Sequence, residues 1–162
     1  MNGTNRLNPF RSVIFLGEFM KYKNENEISA VVESFERGTI LREDWRHAEH
    51  LTVALFYLSN HDFESAYDKI RVGIFNLLKV FEVDLSKEMP YHETLTVFWL
   101  KTIDKFNKSK NDNSNLENYN ELIEKFDKDY ALRFYSRELL FSDEARIKFI
   151  CPDLSSYSAN QE

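Results

Sequence analysis

Apolar residues recur at helical spacing in four separate stretches of this chain, and that pattern constrains its fold more than any other feature. The cleanest stripe runs through Phe63, Ala66, Tyr67, Ile70, Ile74, Leu77, Leu78 and Phe81. Another over residues 25–37 holds Ile28, Val31, Val32 and Phe35, and Gly38 follows where a helix ends in the left-handed conformation. A helix over residues 43–59 carries Leu51, Ala54 and Leu58, with Glu43 and Asp44 in its first turn against the positive end of the dipole. The fourth stripe is His92, Leu95, Thr96, Trp99, Ile103 and Phe106, with Pro90 suited to the first turn of a helix ending near Asn107.

Punctuation between these stretches is sparse and polar. Asp62 is placed to cap the third helix, and Ser142 to cap a short one that opens on Asp143 and Glu144 and stops at Pro152. A fifth stripe holds Leu116, Tyr119, Ile123, Phe126 and Tyr130. With only 4 Gly and 3 Pro the chain lacks the turns that an all-β fold needs. The expected architecture is all-α: an antiparallel four-helix bundle with additional C-terminal helices, one domain spanning residues 1–162. Residues 1–9 and 155–162 are expected to be flexible, 108–115 to form a mobile polar linker, and 10–22 fit strand and helix equally.

Composition removes several function classes. Hydrophobic residues make up 43% and Phe is counted 14 times, which supports a packed core rather than disorder. The net charge of −6 comes with basic residues interspersed among acids, so no phosphate-binding face stands out and nucleic acid is not an expected partner. The apolar run from Val13 to Leu16 falls far short of the ~20 residues of a membrane span. Cys151 is the single cysteine and excludes an intramolecular disulfide; a buried position at a helix end and a reducing cytoplasmic setting are expected.

The chemistry concentrates in histidine. His47 sits mid-stripe on the second helix with His50 one turn on, and His92 opens the fourth. Short connections make successive helices antiparallel, so the second and fourth run parallel and their first turns share one end. Glu33, Glu36 and Glu82 would arrive there too. Three imidazoles with carboxylates nearby form a recurrent site for a divalent metal such as Zn, Fe or Ni. His47, His50 and His92 are therefore the candidate ligands, with Glu93 as candidate general base. His61 is expected in an exposed loop at the opposite end. Trp45, expected opposite His47 on its helix, would pair with Phe56 against the C-terminal segment or at a homodimer surface.

Trp45, His47, His50 and Leu51, then Tyr91, His92, Glu93, Thr94 and Thr96, resemble the W-x-H-x-x-H-L and Y-H-E-T-x-T motifs of an uncharacterised bacterial family. The likeness covers residues 39–105 and implies no particular activity. A weaker likeness is to the damage-inducible four-helix-bundle superfamily, which includes metal-dependent thiol transferases. Those proteins hold a divalent metal with one histidine from an early helix and two from a later H-x-x-x-H. Here two lie on the earlier helix and Thr96 stands where the last would fall. Asp44-x-x-His47 imitates half of a diiron ligand pattern, but the second half is missing.

Two function classes follow. In one, the protein is a small metalloenzyme acting on a small polar or anionic substrate, with the metal as Lewis acid or water activator. In the other, it is a non-catalytic helical binding or interaction protein whose histidines are structural.

Overall fold

In the computed structural model, which describes residues 20–110 and 115–154, every regular element is helical. In chain order these are α1 (Glu25–Glu36), α2 (His47–Asn60), α3 (Phe63–Val80), α4 (Glu93–Lys108), α5 (Leu116–Lys125), a 3-10 turn (Tyr130–Arg133), α6 (Arg137–Leu140) and α7 (Asp143–Ile147). The expectations for residues 1–9 and 155–162, and for most of 10–22 and the centre of the 108–115 linker, lie outside the described residues. Among the described residues no helix is long and apolar enough to cross a membrane.

Most of these helices start at a residue whose side chain accepts from the third helical amide. Asn24, Asp62, Asn115, Ser136 and Ser142 do so for α1, α3, α5, α6 and α7. At the other end of α1, Gly38 takes φ 64°, the left-handed conformation expected of it.

Three boundaries differ from the sequence reading, each for a tertiary reason. α2 begins at His47, because residues 41–46 form turns in which Trp45 N donates to Leu41 O and Arg46 is extended. Glu43 and Asp44 thus lie outside the helix. α4 begins at Glu93: His92 is extended and caps the helix, leaving Pro90 beyond its first turn. α7 ends at Ile147, well before Pro152, because Lys148 O and Ile150 N both turn to the hydroxyl of Thr94 on α4. Cys151 follows in exposed chain rather than buried at a helix end.

α2 is the hub, touching α1, α3, α4 and α5, with α4 its largest neighbour. Its residues from Leu51 to Leu55, and then Tyr57 and Leu58, are buried around nearly the whole helix, as expected of one enclosed on most sides. Asn120 of α5 adds a clamp: its side chain accepts from Tyr22 N at 2.9 Å and donates to Tyr22 O at 3.0 Å. Tyr22 then reaches Thr52 on α2 through its hydroxyl, at 2.8 Å.

The first turn of α4 fastens the C-terminal segment. Thr94, fully buried, donates to Lys148 O at 2.8 Å and accepts from Ile150 N at 3.1 Å. Tyr135 extends the seam to Ile150 O at 2.8 Å, over a small core of Phe98, Ala131, Tyr135 and Leu140. Thr94→Val keeps the volume but strands a carbonyl and an amide. We expect it to cost about 2–4 kcal/mol in urea unfolding. A cost within a few tenths of wild type would remove this seam from the fold's stability.

Candidate functional site

Between α2, α3 and α4 lies a cavity of about 200 Å³, and His47, His50 and His92 all line it. Trp45, Leu51, Ala54, Ile70, Ile74, Tyr91, Leu95, Thr96 and Trp99 are among the other wall residues. No Lys, Arg, Asp or Glu is on the wall among the described residues.

What separates the three histidines is the use of their ring nitrogens. His92 is buried with both engaged: Nδ1 accepts from Leu95 N at 3.2 Å, and Nε2 donates to Leu140 O at 2.7 Å. An amide only donates and a carbonyl only accepts, so the hydrogen sits on Nε2. His47 donates from Nε2 to Phe126 O at 2.9 Å, which leaves Nδ1 with an unshared lone pair. Phe126 is where α5 stops in an extended conformation, so this bond also sets the end of that helix. The fifth stripe consequently breaks there, and Tyr130 belongs to the 3-10 turn instead. His50 has no hydrogen-bond partner for either ring nitrogen among the described residues.

His50 is held by ring packing. Its imidazole lies 4.0 Å from the ring of Trp45, which stacks at 5.0 Å on Phe35 of α1. Trp45 thus faces inward and lines the cavity, in place of the outward contact with Phe56 and the C-terminal segment expected from its helical angle. The cause is that residue 45 precedes the helix and does not follow its rotation. Trp99 meets His47 edge-on at 4.9 Å from the other side.

Electrostatics keeps two of these rings neutral. Burial, with a smaller contribution from His47, lowers the His50 pKa to about 4. By surface area His50 is exposed at the cavity, although protein crowds its ring. Burial also lowers the His92 pKa; the bond to Leu140 opposes the shift and the positive charge of Arg146 adds to it. An unfolded chain protonates His50 near 6.5, whereas the folded protein resists until about 4. Stability is therefore present above 6.5 and is lost as pH falls through that window. Urea midpoints at about pH 7 and about pH 5 should show this loss, and His50→Leu should make it smaller. An unchanged pH dependence in that variant would mean that His50 titrates normally.

Glu93 sits away from the cavity wall, between helices. It accepts from Tyr67 OH at 2.7 Å and from Tyr91 OH at 2.6 Å. Both tyrosines have raised pKa values, burial being the first cause and the Glu93 bond the second. Each carboxylate oxygen of Glu93 thus holds one tyrosine hydroxyl. Glu33 pairs with Arg37, and Glu36 accepts from Tyr57, so both have partners elsewhere. His61 is exposed, as expected. Among the described residues no three His, Cys, Asp or Glu side chains converge closely enough to hold one metal ion. What the histidines share is a cavity wall.

No protein-family model, curated protein or solved structure matches this chain. The functional reading therefore rests on the cavity itself.

Proposed function

We propose that the protein binds a small molecule in the cavity between α2, α3 and α4, and that His47 and His50 recognise it. The observation that carries this is the division of labour among the three rings: His92 is fully engaged, while His47 and His50 line the same space with nitrogens to spare. Convergent polar groups in an otherwise apolar pocket are the usual form of a ligand site. The reading places α1 to α4 in an antiparallel bundle, with the first turns of α2 and α4 at one end. A neutral imidazole can also take a proton from a bound substrate, so the same site suits an enzyme with the unengaged Nδ1 of His47 as base.

The two tryptophans of the chain, Trp45 and Trp99, both line the cavity, so intrinsic fluorescence reports its occupancy. A set of small organic molecules should contain members that change this fluorescence saturably. Each should also raise the unfolding midpoint, by up to about 2.7 kcal/mol of stabilisation at a hundredfold excess over Kd. A set that yields no saturable change and no stabilisation contradicts the proposal.

A second reading keeps a metal at the site, favoured by the same unengaged nitrogens. His47 Nδ1 and His50 would supply two ligands, and water or substrate the rest; His92 would join only by leaving Leu95 or Leu140. Untagged protein would then gain stability from Zn²⁺, Fe²⁺ or Ni²⁺, and His50→Leu would abolish that gain. Stability unmoved by all three ions would rule this reading out.

A further inference from the structure

The cavity's size, charge and hydrogen-bonding capacity together narrow the class of ligand, on the premise that it is a ligand site at all. A volume of about 200 Å³ is modestly larger than the roughly 150 Å³ in which an apolar cavity holds benzene. It admits a single ring with a small substituent, and any larger group would have to extend out through its mouth. Leu51, Ala54, Ile70, Ile74 and Leu95 supply apolar wall, and Trp99 an aromatic one.

Charge narrows it further. Among the described residues, a carboxylate or phosphate entering this space would lose water and meet no Lys or Arg on the wall, and an ammonium would meet no Asp or Glu. Neutral ligands avoid that cost.

Hydrogen bonding decides the remaining feature. His92 has nothing left to give. Thr96 already donates its hydroxyl hydrogen to His92 O at 2.9 Å. His47 donates through Nε2 to Phe126 O, so the capacity left on it is the Nδ1 lone pair, an acceptor. A neutral His50 adds a second acceptor nitrogen alongside one N–H. The wall thus offers an acceptor nitrogen on each of His47 and His50 beside the N–H groups of His50, Trp45 and Trp99, which suits a group that donates to the imidazoles and can itself accept, as a hydroxyl does.

We propose that the ligand is a neutral molecule about the size of one aromatic ring, bearing a hydroxyl or N–H group that donates to the His47–His50 pair. Phenols and azoles of that size are the chemical class.

The test is a fluorescence and thermal-shift titration of the full chain with four probes of similar size: p-cresol, toluene, benzoate and benzylamine. The expected result is saturable binding of p-cresol, roughly tenfold tighter than toluene for one added hydrogen bond to a buried acceptor, with benzoate and benzylamine weaker still. His50→Leu and His47→Leu, checked for folding by circular dichroism, should between them erase the preference for p-cresol over toluene. Toluene binding as tightly as p-cresol overturns the donor inference and leaves the cavity proposal standing. Benzoate or benzylamine binding most tightly overturns the neutral-ligand inference in the same way. Should none of the four bind, this inference fails, and the cavity proposal is then judged by the wider set of molecules. The wild-type series decides the matter even if a histidine variant does not fold.

Discussion

Gly73→Val is expected to destabilise the protein by about 3 kcal/mol, at the upper end of what overpacking costs. Gly73 lies inside α3, and a Cβ built there would stand 2.2 Å and 2.4 Å from ring atoms of Phe35. That ring cannot step aside, because Phe35 is only 2% exposed, stacks on Trp45 and meets Tyr57 edge-on. Even Gly73→Ala should be destabilising, although at an open helix position alanine gains about 1 kcal/mol over glycine. The disturbance should also travel. Phe35 stacks on Trp45, and Trp45 on His50, so a displaced Phe35 should alter tryptophan fluorescence and weaken whatever the cavity holds. A stable Gly73→Ala protein with native fluorescence would show that α1 and α3 do not cross where we place them.

His92→Ala carries the second large effect, about 3 kcal/mol. It removes the cap of α4 at Leu95, strands the buried Leu140 carbonyl and leaves a space where a ring had been. His92→Asn separates these terms, since asparagine is a good cap but too short to reach Leu140. It should cost about 1–2 kcal/mol and loosen the C-terminal segment, read as faster amide exchange around Leu140 and Lys148. If His92 were instead a ligand of a functional metal, His92→Asn would lose metal while the segment stayed protected.

The helices were legible because their signals are local. The stripes through Ile28, Phe63 and Leu95, the caps Asp62 and Ser142, and the C′ residue Gly38 all act within a turn or two of themselves. The same patterns singled out His47, His50 and His92, and all three line one cavity. What each nitrogen does could not. Phe126 O lies 79 residues beyond His47, and Leu140 O lies 48 beyond His92. No pattern in a single sequence pairs a ring with a carbonyl that distant. The inward turn of Trp45 was hidden for a different reason: helical angles do not extend across the extended Arg46 into the preceding turn. Nothing in the sequence pairs Gly73 with Phe35, and their close approach is visible only in the fold.

On the proposed reading His92 is spent on structure while His47 and His50 meet the ligand, and the imidazole nitrogen spectrum of labelled protein separates the two roles. At about pH 6 His92 should be the neutral Nε2–H form, and His50 should be neutral because it does not protonate until about 4. On adding p-cresol, resonances of His47 or His50 should move while those of His92 stay in place. A ligand-induced shift confined to His92, or an Nδ1–H form of that ring, would contradict it.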